Sequence, residues 1–327
     1  MRRREFISLV GGAAAAPLWP LAVRARQPDK LPTIGFLAPG FPASQGNLVA
    51  AFAERLRQLG WIEGRSVSIE YRWGEGRKDR DAEIASDFVR LPVDLIVTYS
   101  TPGALAAKQA TSTIPIVFAL VGDPVGTGLV ASLARPGANV TGLSNQQVDA
   151  PAKRLALLRE MVPALRRLGI LANFGNPSNV LEMNGLQSAA RTVGIETTAP
   201  EIRRAEDVAP AFAALKGRVD ALYVAGDPLI AHAGSINTLA VGAKLPTMHD
   251  FREFAETGGL MSYGPDYPEI FRHAAELADK VLRGTKPAEM PVEQPTKFEL
   301  VINLKTAKAI GIEVPPTLAA RADAVIE

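Results

Sequence analysis

The sequence predicts an α/β protein: two doubly wound parallel-sheet lobes joined by a hinge. Three observations carry this reading. Short apolar runs alternate with amphipathic helical stretches along the chain. The pattern of the first half returns in the second at a nearly constant offset. A further helix and strand follow the second copy, so the chain must travel back between lobes. At 327 residues it is too long for one small core and fits two compact units.

The elements follow in chain order. Residues 33–37 (TIGFL) are a buried-strand candidate. Within 47–59, Val49, Phe52, Leu56 and Leu59 recur at spacings of three and four, which places them on one helix face. Gly60 then supplies a left-handed stop. Val67, Ile69, Tyr71 and Trp73 alternate with polar residues, as in a strand with one wetter face. Residues 93–99 and 116–120 are apolar runs of the kind found in parallel strands covered on both sides.

The second half echoes this order. Gly35-Phe36-Leu37 is matched by Gly169-Ile170-Leu171 and Gly60 by Gly194, while Val93-Asp94 is matched by Val219-Asp220. Thr101-Pro102 is matched by Asp227-Pro228, and strand-opening Pro115 by Pro246. Matches in one order, with offsets drifting by only a few residues, indicate two similar lobes. Lobe one is expected over 31–144 plus about 265–290, and lobe two over 145–264 plus about 291–327. The returning part contains a helix over 267–282, with Ile270, Ala274, Leu277, Ala278 and Val281 on one face, then a strand and short helix over 298–310.

The first 25 residues read as a targeting segment. Arg2, Arg3 and Arg4 precede an apolar stretch interrupted by Pro17 and Pro20, and Val23-Arg24-Ala25 fits a cleavage site. The run Arg3-Arg4-Glu5-Phe6-Ile7 resembles the twin-arginine export motif. This leader holds four Arg and one Glu, so the remaining chain carries 32 basic and 33 acidic residues. A near-neutral charge removes the electrostatic case for a nucleic-acid partner. The absence of Cys excludes disulfides, thiolate chemistry and a lipoprotein anchor. Three widely spaced histidines argue against a metal site, and no cofactor is expected. The expectation is a monomeric periplasmic protein that is exported and not lipid-anchored.

Ligands of doubly wound folds sit at the carboxyl ends of the strands. Thr101-Pro102 has the form of a helix cap followed by Pro, and such an N-terminus, with the Ser100 and Thr101 hydroxyls, suits a carboxylate. Asp123 and Asp227 lie in Gly-Asp-Pro settings, and Asp250 ends a predicted strand; together they suit an ammonium. Turn formation explains each Asp alone equally well. Asn176 lies in a third such loop, and Phe41, Phe174, Phe251 and Tyr263 stand in or beside these loops as apolar wall candidates. Residues 126–131 (GTGLVA) match a nucleotide fingerprint but follow no strand directly, and are read as a loop-to-helix junction. Lys153, Arg154, Arg159, Arg166 and Arg167 read as a solvated helical face. His232 and His273 read as surface residues. No nucleophile–base constellation appears, so no catalytic residue is expected.

Five segments carry a family resemblance: 69–73 (IEYRW), 113–118 (TIPIVF) with 122–124 (GDP), 135–142 (RPGANVTG), 251–264 (FREFAETGGLMSYG) and 293–308 (EQPTKFELVINLKTAK). They resemble motifs of ABC-transporter substrate-binding proteins of the tryptophan/tyrosine type, across essentially all of the chain beyond the leader. The resemblance implies the type I periplasmic-binding-protein fold, with three crossovers and a ligand held in the interlobe cleft. It also implies docking onto a membrane permease and ATPase complex, and a ligand that is an aromatic or other hydrophobic amino acid. A sensor of the same fold, signalling to a membrane receptor, is the alternative. An exported enzyme using Asp123 and Asp227 as acid and base is a more distant one.

Overall fold

A computed structural model describes residues 31–232 and 236–327, so the leader expected over 1–25 lies outside the described residues. Lobe one contains β1 (Thr33–Ala38), α1 (Pro42–Gln58), β2 (Ser68–Trp73), α2 (Lys78–Arg90), β3 (Leu95–Tyr99), α3 (Ser100–Ala110), β4 (Ile116–Val121) and β5 (Val140–Ser144). Lobe two follows with α4 (Pro151–Met161), β6 (Arg167–Leu171), α5 (Pro177–Thr192), β7 (Glu196–Thr198), α6 (Val208–Leu215) and β8 (Ala221–Val224). It continues through α7 (Pro228–His232), α8 (Ile236–Gly242), β9 (Thr247–His249), α9 (Arg252–Glu256) and β10 (Met261–Gly264). The returning segment forms α10 (Tyr267–Leu282), β11 (Glu299–Asn303), α11 (Leu304–Ile310), α12 (Pro316–Ala319) and β12 (Ala324–Ile326).

The internal repeat is realised as topology. The first sheet runs β2-β1-β3-β4-β5 and the second β7-β6-β8-β9-β10, the same order, before continuing into β11 and β12. Neighbours are parallel except β10 and β11, because β11 enters lobe two on the chain's return from lobe one. The repeated glycines have a packing reason. A Cβ on Gly35 would lie 2.8 Å from the Phe88 ring, and one on Gly169 would lie 2.8 Å from Leu222 and 2.9 Å from Leu215. Each glycine opens its strand to close side-chain approach. Gly60 and Gly194 end α1 and α5 at φ of 96° and 72°, with the following amides of Trp61 and Ile195 bonded back to Leu56 and Ala190.

Helix α10 completes lobe one. Its expected face is buried, with Phe271 packed 5.4 Å from the Tyr99 ring. Polar ties join it to α1 and the turn beyond: Arg55 to Glu276 at 2.6 Å, and the Trp61 indole N–H donating to Asp279 at 2.7 Å. The chain passes between sheets after β5, after β10 and again before β11, where Glu293 still bridges Leu143.

Two expectations are corrected. Residues 126–131 form turns and bends and lead into no helix; Lys108 on α3 donates to the carbonyls of Gly128 and Leu129 instead. Arg154 is not on a solvated face. It is 1% exposed and pairs with equally buried Glu182 at 2.8 Å, because α4 turns it inward against α5. His273 is partly exposed beside Glu269, while the His232 side chain lies outside the described residues.

Candidate ligand-binding site

Loops at the carboxyl ends of both sheets converge on one interlobe cavity that opens to solvent, with about 500 Å³ of empty space, open solvent included. Lobe one contributes Ser44, Leu48, Tyr99, Ser100 and Leu120; lobe two contributes Gly226, Asp227, Pro228, Phe251 and Glu253. Asn145, Gln147 and Tyr267, from the first two crossings, close it. One wall is aromatic: Phe251 stacks on Tyr267 with centroids 5.1 Å apart and packs edge-on to Phe254.

The backbone is strained around this cavity. Ser100 and Leu120 hold φ of 62° and 51°, as does Gln146, between lining Asn145 and Gln147, at 50°. Left-handed conformations in ordinary residues cost energy and persist where surrounding structure enforces them. At Leu120 the strain accompanies a register shift between β4 and β5. At Ser100 it converts strand into helix within one residue, which corrects the expected cap. Helix α3 starts at Ser100 with Tyr99 as the capping position, so Thr101 lies inside the helix.

The expected site residues divide accordingly. Ser100, Asp227 and Phe251 line the cavity. Thr101 is 1% exposed, and its hydroxyl lies 2.7 Å from that of Ser178 on the opposite lobe. Asn176 caps α5 by accepting from the Ser178 amide and donates to Asp227 at 2.8 Å. Asp227 also accepts from Asn173 and from the Leu229 amide. Burial raises the Asp227 carboxyl above its ordinary range, opposed by the donations from Asn176 and Asn173. Asp250 does not line the cavity: it lies behind Gly226, accepts from the Tyr267 hydroxyl at 2.6 Å, and is raised by burial against the pull of Arg154. Asp123 is spent on its own turn, accepting from the Gly126 amide at 2.7 Å. Tyr263 stacks on Phe298 at 5.6 Å, outside the cavity lining, and its carbonyl accepts from Arg154. Phe41 and Phe174 are likewise absent from this lining, Phe174 packing against the lobe-two core.

With this geometry in hand, likeness to known proteins decides the family. The model of the family described as ABC transporter substrate binding protein matches residues 43–326. The chain belongs to that family. This substrate-binding protein is 32% identical over 264 residues to the tyrosine-binding protein of Clostridioides difficile (strain R20291), covering 80% of this chain and 76% of that one. Its structure is similar to the ABC domain in complex with L-Trp from Streptococcus pneumonia, at 26% identity and a TM-score of 0.82, covering 90% of this chain and 100% of the other. A ligand-free, open substrate-binding protein from Clostridium difficile, 28% identical, gives a TM-score of 0.63 over 90% of this chain and 99% of that one. The fold is that of type I periplasmic binding proteins. Among the described residues, no helix is long and apolar enough to cross a membrane.

Several lining residues of this substrate-binding protein escaped the sequence reading. Ser44, in the first turn of α1, keeps a buried hydroxyl without a partner among the described residues, as Asn145 does its carbonyl oxygen. Ser44 lies in the 38–45 loop that the sequence places at the mouth, where nothing singled out its side chain; Asn145 follows β5, which the sequence pattern did not mark as a strand. Leu48, Leu120 and Tyr267 read as ordinary core. The register shift in β4 brings Leu120 to the cleft, the start of α10 brings Tyr267, and the first half of α1 brings Leu48.

Proposed function

We propose that this protein is the solute-binding component of an ABC importer, exported to the periplasm, and that it captures an aromatic or other hydrophobic amino acid. The single observation that carries the ligand class is the cavity itself, which joins an aromatic wall to one buried carboxylate. The ligand side chain would lie against Phe251, Tyr267, Leu48 and Leu120. Its ammonium would face Asp227, and its carboxylate the hydroxyls of Ser100 and Ser44 at the starts of α3 and α1, where the helix dipole favours an anion. Support comes from the tyrosine-binding relative and from the nearer likeness to the L-Trp complex than to the ligand-free, open structure. The closed lobes would present a surface to a membrane permease and ATPase complex, to which the ligand is handed over.

Isothermal titration of ligand-stripped protein against the standard amino acids tests this reading. Tyrosine, tryptophan or phenylalanine should bind in the micromolar range or tighter, and Asp227→Asn should weaken that binding at least about tenfold. If no amino acid binds at millimolar concentration, the assignment fails.

A further inference from the structure

A second chamber adjoins the cavity and shares Ser100, Asp227 and Pro228 with it. Its character is different: Asp81, Asn173, Lys78 and Arg203 line it, and its empty space, open solvent included, is about 430 Å³. Asp81, on the first turn of α2, is 2% exposed, and its Oδ1 has no hydrogen-bond partner among the described residues. Gly74 makes room for it, since a Cβ there would lie 1.8 Å from that oxygen. Lys78 and Arg203 line the same chamber without pairing to it; Arg203 is engaged by Glu201 at 2.5 Å.

A buried carboxylate without a donor, beside a second buried carboxylate, is costly unless a cation joins them. Asp227 accepts from Asn173, Asn176 and the Leu229 amide, all of them neutral, and no charged side chain among the described residues donates to it. Asp81 belongs to lobe one and Asp227 to lobe two. A cation between them would be gripped by both lobes, which an ionised Asp227 alone cannot achieve.

We propose that the chamber between Asp81 and Asp227 is a cation subsite, and that the ligand's protonated amine inserts there, held by one carboxylate from each lobe. This rests on the amino-acid reading of the neighbouring cavity and adds a lobe-one residue to it. The groups bearing on Asp81 are Asp79 on its own helix, Asp227 opposite, and Lys78 and Arg203 along the chamber wall, with the Tyr99 phenol nearby. Burial, and then the two acidic neighbours, push Asp81 up to about 7. Arrival of an amine would reverse that, so binding releases a proton near neutral pH and tightens as pH rises through about 7.

The test compares L-tyrosine, its des-amino analogue 3-(4-hydroxyphenyl)propanoate, and tyramine, in the wild type, Asp81→Asn and Asp81→Ser. Titrations at about pH 6 in buffers of different ionisation enthalpy read proton release. The wild type should favour tyrosine over the des-amino acid by at least about tenfold, and both variants should shrink that ratio about fivefold or more and abolish proton release. Melting curves confirm folding, and two unrelated replacements guard against failure of one. An unchanged ratio in folded variants overturns the subsite while leaving the amino-acid reading intact. Asp81-dependent binding of tyramine without binding of tyrosine keeps the subsite and overturns the amino-acid reading. No binding by any of the three overturns both.

Discussion

Two buried ionisable side chains pull stability in opposite directions with pH. His249 is fully buried with both ring nitrogens unpartnered among the described residues, stacked on Phe254 at 4.1 Å, and burial pushes it down to about 3. Its contribution is therefore present above about pH 6.5, the unfolded value, and is lost as pH falls towards 3. Asp81, raised to about 7 from an unfolded value near 3.9, contributes below about pH 4 and loses that contribution as pH rises through 7. In the unliganded protein the two slopes oppose each other between those limits. Relative to the wild type, Asp81→Asn should tilt the stability-against-pH slope upwards there and His249→Leu should tilt it downwards, each departing by up to about 3 kcal/mol in urea titrations. Parallel curves for wild type and variants would refute this. Glu182→Leu strands Arg154 without its partner and should cost about 3–5 kcal/mol in the same assay. Asp227 and Phe251 were legible from sequence because each follows a recognisable strand. Asp81, Glu182 and Arg154 were not, since in a polar helical pattern a charged residue reads as solvated until a distant segment buries it.

Among elements, the end of β8 tolerates little change. A Cβ on Gly226 would come within 1.9 Å of Asp250 Oδ2, and Asp250 in turn holds the Tyr267 hydroxyl that closes the cavity. Gly226→Ala should therefore displace the Asp227 loop and Tyr267 together, weakening ligand binding at least about tenfold with a stability loss of about 1–3 kcal/mol. Calorimetry and thermal melts on the same variant separate the two effects, and an unaltered affinity would contradict the packing argument. Strands β1 to β4 and the long helices were readable because their apolar periods persist over enough residues. The five-residue helices α7 and α9 offer no such window. The antiparallel setting of β11 was equally hidden, because apolar runs show burial and not direction.

At the scale of the two lobes, side chains meet directly across the cleft. The Thr101 and Ser178 hydroxyls meet at 2.7 Å, and Asn47 donates to Glu253 at 3.4 Å. A hinge equilibrium of this kind responds to a ligand only by its preference for the closed state. Removing one interlobe hydrogen bond takes about 0.5–1.5 kcal/mol from that state. Ser178→Ala should accordingly weaken affinity about two- to tenfold, chiefly through faster dissociation, and enlarge the unliganded radius of gyration in small-angle scattering. Identical scattering and dissociation would mean the contact does not bias closure. The two lobes were legible because their repeat survives in glycines with packing duties. The closed state was not, because contacts such as Thr101 with Ser178 join residues that no local pattern relates.

The seat of α10 has a consequence for how the chain reaches this structure. The segment that covers the Tyr99 face of lobe one is Tyr267–Leu282, which emerges only after all of lobe two up to β10 has been made. The first lobe to be started is thus finished only after most of lobe two has been made, and its partners Arg55 and Glu276 stand 221 positions apart. Such non-local closure slows folding and leaves an apolar surface uncovered meanwhile. Refolding should show lobe two gaining amide-exchange protection before α1 and α10, and any version of the chain ending before residue 267 should aggregate.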